Sequence, residues 1–144
     1  MHLIKLCVGI DSADELIAWQ AHRLETMRRS GAPAELVHRT RQMPKRRDKV
    51  LAGGSLYWVI KGVIQLRQGI LDLRAETDAE GRPLCGILLT PALVVTRPQA
   101  RRPFQGWRYL PPEDAPPDLP ETEAALCRGM PQAMRAELAA LALL

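Results

Sequence analysis

The chain has 144 residues, of which 47% are hydrophobic and 25% charged, with a formal net charge of +4. That length supports one domain with its own core, and that balance excludes a disordered chain. No apolar run reaches the roughly 18–20 residues of a membrane span, and Met1–Leu6, with Asp11 close behind, is too short for a signal-peptide core, so a cytoplasmic protein with no membrane partner is expected.

In chain order, Leu3–Ile10 reads as a strand that ends at Gly9 and Asp11. Ser12 and Glu15 form a capping box for a helix that runs to about Arg29 and stops at Ser30-Gly31. The apolar face predicted for it is Ala13, Leu16, Ile17, Ala21, Leu24 and Met27, with Trp19 at the flank and Arg23 spaced to stack on it. Leu36–Arg41 alternates weakly and predicts a second strand. Pro44 suits a first helical position, and a helix over Pro44–Ala52 would end at Gly53, a natural C′ glycine. Ser55–Leu73 is a long β-type stretch with Leu56, Trp58, Ile60, Ile64 and Leu66 on one face, Tyr57, Lys61, Gln65 and Arg67 on the other, and a bend near Gly62 or Gly69. Thr77–Gly81 is a hairpin turn and Leu84–Leu89 its return strand. Pro91 interrupts that strand, Leu93–Thr96 resumes it, and an irregular connection follows to Pro103. Residues 111–120 hold five prolines and read as a stiff extended loop; two short helices, Pro120–Arg128 and Pro131–Leu144, complete the chain. The expected fold is α+β, with a mostly antiparallel, barrel-like sheet and flanking helices: one domain over 1–120, including the Pro-rich segment, and a helical tail over 121–144.

Charge is uneven along this order. Residues 1–110 carry 18 Lys and Arg against 10 Asp and Glu, a balance of +8, whereas 111–144 carry 2 against 6, a balance of −4. Between Arg39 and Arg67 lie eight cations and a single carboxylate, Asp48. Such a cluster attracts anions, but it also repels itself, and the acidic tail offers an internal neutraliser. Lys45, Arg46 and Arg47 fall where a helix start would present free N–H groups, a combination suited to phosphate; the plainer reading is a solvated basic turn. Tyr57, Lys61 and Arg67 share the predicted strand face, an aromatic-plus-basic arrangement that suits unstacked bases and the phosphates between them. Arg101-Arg102-Pro103-Phe104-Gln105-Gly106-Trp107-Arg108-Tyr109 holds three of the six aromatics of the chain among three arginines. It reads either as a loop pinned to the core by Phe104 and Trp107, or as an edge that stacks and clamps an anion through Arg101, Arg102, Trp107 and Arg108.

Other motifs fail on chemistry. Gly53-Gly54-Ser55 follows a helix and precedes a strand, the reverse of a phosphate loop, so capping and a tight turn account for it. Cys7, Cys85 and Cys127 lack any zinc or redox spacing and read as reduced thiols; no metal and no cofactor is expected. His22 and His38 are candidate bases, but no nucleophile or carboxylate is tied to either by spacing.

Three blocks resemble a bacterial family, domain of unknown function 1489: His2–Gly9, Gly53–Gly62 and Arg102–Leu110. The likeness spans about residues 2–120 and implies no particular activity. A looser likeness is to the small RNA-binding barrels of the PUA and ASCH kind, in which a helix ending in glycine precedes a strand with basic residues, as Lys49, Gly53, Lys61 and Arg67 stand here. The expected partner is RNA or another polyanion. Two alternatives remain: a small enzyme for an anionic or phosphorylated metabolite with His22 or His38 as base, and a protein-interaction module using the Pro-rich loop with Leu138, Leu141 and Leu144.

Overall fold

The computed structural model describes residues 1–120. Six strands form one sheet in the order β2-β5-β4-β3-β1-β6: β1 His2–Leu6, β2 Leu36–Thr40, β3 Ser55–Ile60, β4 Val63–Thr77, β5 Pro83–Ala100 and β6 Trp107–Leu110. β1 and β3 are parallel and every other pairing is antiparallel. Helix α1 (Ala13–Arg29) lies between β1 and β2, and the short α2 (Arg47–Leu51) between β2 and β3. The fold is thus α+β, as expected, but strand-dominated, and the sheet is not closed into a barrel: among the described residues, β2 and β6 are its two edges.

The sheet nevertheless curls strongly. The His38 ring on β2 meets the Trp58 ring on β3 edge-on at 5.1 Å, although β5 and β4 lie between the two strands. Three strand spacings are about 14 Å, so the rings can meet only across a concave face. The connection from β2 to α2 straps the edges together. Trp107 Nε1–H on β6 donates to the Gln42 carbonyl at 2.8 Å, the Arg46 N–H donates to Tyr109 Oη at 3.0 Å, and Met43 Sδ lies 3.6 Å from Cys85 Sγ on β5.

The concave face carries the main core, with Leu3, Leu56, Trp58, Ile60, Leu66, Leu73 and Ile87 packed against α1. Ser12 caps α1 by accepting from the Glu15 N–H at 3.1 Å, and Arg23 stacks over Trp19 at 5.4 Å, both as the spacing predicts. The helix is rotated from its predicted face: Ala21 is exposed, and Gln20 is buried beside Ala13, Leu16 and Leu24. The reason is a buried polar knot. Gln68, fully enclosed, donates to Gln20 Oε1 at 2.7 Å and to the Thr90 carbonyl at 2.8 Å, and its own Oε1 accepts from Trp58 Nε1 at 3.1 Å and Gln20 Nε2 at 3.2 Å. Burying two amides is favourable only when they satisfy each other.

Five expected features are corrected. Ser55–Leu73 is not one strand but a hairpin whose two-residue turn, Lys61-Gly62, has φ of 52° and 77°, the primed-turn pattern that matches strand twist. The alternation therefore reverses there: Ile64 joins Ile4, Tyr57, Val59 and Leu110 in a second cluster on the convex face. Pro91 does not break its strand; β5 runs to Ala100 and absorbs the proline where its register with β4 shifts. Trp107–Leu110 is an edge strand, not a loop, since β1 offers it an unpaired side. Helix α2 begins at Arg47 with Arg46 as its N-cap, so Pro44 and Lys45 lie outside it, and of the three cations only Arg47 falls in its first turn. Residues 111–119 are extended only in part: Pro112–Asp114 is a 3-10 turn, and Pro117–Leu119 lies along the side of β5 that β2 leaves open. The predicted tail helices lie outside the described residues.

Candidate anion-binding cleft

The basic segment is largely neutralised by carboxylates distant in sequence. Of the eight cations between Arg39 and Arg67, five are ion-paired: Arg39 with Glu76 at 2.8 Å, Arg41 with Asp78 at 2.9 Å, Arg47 with Asp72 at 2.8 Å, Lys61 with Asp11 at 3.0 Å and Arg67 with Asp118 at 2.6 Å. Three form no ion pair among the described residues: Lys45, Arg46 and Lys49, all exposed and all between β2 and the end of α2.

Two of these three line a cleft of about 330 Å³, together with Gln42, Met43, Trp107 and Tyr109. The strap just described builds it. β6 turns Trp107 and Tyr109 to the concave side, where their rings meet edge-on at 4.8 Å, and Arg46 lies 5.7 Å over the Tyr109 ring. Both aromatic polar atoms are already engaged, Trp107 Nε1 by Gln42 and Tyr109 Oη by Arg46 N–H, so the rings are held in place before any ligand arrives. A pair of cations beside a rigid aromatic pair can hold an anionic group next to a flat one.

The other predicted site residues lie elsewhere. Arg47 is tied by its guanidinium to Asp72 and to the Leu73 carbonyl. Tyr57 is not on an open strand face: it is buried, its ring edge-on to His2 at 5.1 Å. Arg67 beside it is held bidentately by Asp118, with a third bond to Ser55 Oγ at 3.1 Å, and that guanidinium keeps the Asp118 carboxyl below the usual aspartate range. Lys61 occupies the hairpin turn, and the Arg101 N–H closes onto the Gly62 carbonyl at 2.8 Å, while the Arg101 side chain bonds Gln99. Arg102 is exposed. Arg108 points to the convex side, over Phe104 at 5.7 Å. The two readings of the Arg101–Tyr109 block therefore divide it: Phe104 pins the chain to the convex cluster, and Trp107 lines the cleft.

His22 lies on the exposed side of α1. His38 lines a different cavity, and burial, reinforced by Lys5 and Arg23, lowers its pKa to about 4. Leu138, Leu141, Leu144 and Cys127 lie outside the described residues. Sequence reading counted Tyr109 in the aromatic block without naming it as a contact, and it missed Gln42 and Met43; an edge strand alternating Trp107 and Tyr109 with Arg108 was the signal, hidden by the adjacent Pro103 and Gly106.

An α+β protein with a curled, strapped sheet and an aromatic-cationic cleft is the class these observations define. Within it, the chain belongs to the family described as Protein of unknown function (DUF1489), whose model matches residues 3–144 and so extends past residue 120, where the likeness of the three sequence blocks ends. No curated protein and no solved structure matches the chain. No helix among the described residues is long and apolar enough to cross a membrane.

Proposed function

We propose that the protein binds single-stranded RNA, or a comparable polyanion, through the cleft formed by Gln42–Arg46 and Trp107–Tyr109. One observation carries the reading: two of the three cations of the basic segment that form no ion pair among the described residues, Lys45 and Arg46, line the same cleft as the Trp107–Tyr109 ring pair. Lys45 and Arg46 supply phosphate contacts, and Trp107 with Tyr109 supplies a stacking surface worth about 1–3 kcal/mol per base. The likeness to PUA and ASCH barrels adds little, because the sheet is not closed and, of Lys49, Gly53, Lys61 and Arg67 on which it rests, Lys61 and Arg67 are ion-paired.

Anisotropy of a labelled single-stranded RNA tests this. Binding should weaken with salt, and the double variant Lys45→Ala/Arg46→Ala should reduce the log–log salt slope by about 1.4, the single-strand value for two lost phosphate contacts. Absence of binding at low salt, or an unchanged slope in the double variant, overturns the reading.

A further inference from the structure

A second and larger cavity, of about 390 Å³, lies between α1 and the β1–β3 part of the concave face. Its walls are mostly apolar, with Leu6, Ile10, Leu16 and Trp58 among them. Its rim is unusual for a water-facing surface. Val8 is 88% exposed and Trp19 is 49% exposed, two of the three large hydrophobic residues that stand exposed among the described residues, and both line this cavity. Scattered exposed apolar residues are ordinary; two on the rim of one cavity mark a surface that gains by being covered.

Four titratable side chains line the cavity: Lys5, Cys7, Glu15 and His38. Lys5 is half-buried, lies beside Trp58 and Trp107 in the register of β1, and makes no ion pair among the described residues. Glu15 is engaged at the start of α1, where its Oε2 accepts from the Asp11 N–H at 3.2 Å. His38 Nε2 is buried and has no hydrogen-bond partner among the described residues. Lysines whose stems are buried ordinarily carry the ammonium to water or to a carboxylate; one without an ion pair in an apolar recess beside an imidazole nitrogen without a hydrogen bond is an arrangement that the described residues leave incomplete.

We propose that this cavity is a ligand site, separate from the RNA cleft, for a small monocarboxylic acid with an apolar or aromatic body: the carboxylate pairs with Lys5 Nζ, and the body lies among Trp58, the His38 ring and the Val8–Trp19 rim. The charge balance selects a monoanion over a phosphate. His38 and Cys7 are neutral near pH 7, since burial lowers the imidazole pKa to about 4 and raises the thiol to about 11. The lining then holds one ammonium, Lys5, and one carboxylate, Glu15, with the Arg23 guanidinium acting on His38 from α1, so a monoanion meets less repulsion from Glu15 than a dianion would. The site stands on residues that the RNA reading does not use.

Phenylacetate and phenylacetamide, alike in shape and different in charge, are the probes. In titrations of the full chain followed by the indole N–H resonances, phenylacetate should shift Trp19 and bind about tenfold more tightly than the amide, as one charge-assisted hydrogen bond requires. Lys5→Met should erase that preference, and Trp19→Ala, a change at the exposed rim, should weaken both probes. Equal affinity of the two probes in the wild type, no binding at millimolar concentration, or a carboxylate preference that survives Lys5→Met overturns the proposal. If Lys5→Met fails to fold, the wild-type probe comparison and Trp19→Ala decide it.

Discussion

Gly54 shows how much a single backbone position carries. A Cβ there would lie 2.3 Å from the Val50 carbonyl oxygen and 2.4 Å from that of Met1, both backbone atoms with little room to retreat. Its neighbour Gly53 has φ of 86° and open space around it. Gly54→Ala should therefore cost roughly 1–3 kcal/mol or more through overpacking, and Gly53→Ala about 1–2 kcal/mol through the left-handed conformation alone. Urea unfolding of the two variants separates them. The pair was legible in the sequence as turn and cap rather than phosphate loop, but the close approach of Met1 was not, because it depends on where β1 runs. Arg67 and Asp118 make a second residue-scale case. Asp118 is lowered by its guanidinium partner, so the pair contributes above the ordinary aspartate pKa of about 3.9 and is lost as pH falls through the lowered value. The Asp118 side chain is 44% exposed, and screening limits the contribution to about 1 kcal/mol or less. A double-mutant cycle with Arg67→Ala and Asp118→Asn, measured at pH 7 and at successively more acid pH, should show the coupling weaken as pH falls through the lowered carboxyl value.

At the scale of elements, the contact between α1 and the sheet is organised by the Gln20–Gln68–Trp58–Thr90 knot. Gln68→Ala leaves the Trp58 indole N–H, the Gln20 amide and the Thr90 carbonyl without their partner, a loss on the order of 2–5 kcal/mol. Replacing Gln20 and Gln68 together by Met should cost less than the sum of the single changes, since fewer polar groups are then stranded, and chemical denaturation of the set would show it. Periodicity predicted α1 closely in length and capping, yet placed Ala21 on the buried face and did not include Gln20 there. A polarity pattern cannot see that a glutamine has a partner 48 positions away. His38, on the edge strand facing Trp58, gives this contact a pH dependence. Its folded pKa of about 4 lies below the ordinary histidine value of about 6.5. Stability should thus be undiminished above about pH 6.5 and fall as pH drops toward 4, by on the order of 2–3 kcal/mol, as the unfolded chain takes the proton first. His38→Gln should flatten that part of the stability–pH curve.

For the whole molecule, the central fact is how charge is distributed once the chain folds. A linear cluster from Arg39 to Arg67 suggested one large basic surface; folding hands five of its eight cations to Asp11, Asp72, Glu76, Asp78 and Asp118. What remains is smaller and better defined, since Lys45 and Arg46 face Trp107 and Tyr109 across one cleft. The strap that makes the cleft also joins the two edges of the sheet. Trp107→Phe removes the indole N–H that holds Gln42 and should loosen the β2–α2 connection while keeping the ring. Hydrogen exchange at residues 41–46 should accelerate with little change elsewhere, because the loss is local to the strap.

The sequence by itself determined the α+β class, the capped first helix, the glycine stop at Gly53 and the family likeness, and it singled out Lys45, Arg46 and Trp107 without joining them, because caps, turns and aromatic-basic density are local properties. The tertiary structure alone decided that the barrel stays open, that Tyr57 is buried, that Arg47, Lys61 and Arg67 are spent on ion pairs, and that Lys5 and His38 share a cavity. Those outcomes depend on pairings between residues tens of positions apart, and a β-rich chain sets such pairings by sheet register and curvature, which no window of sequence contains.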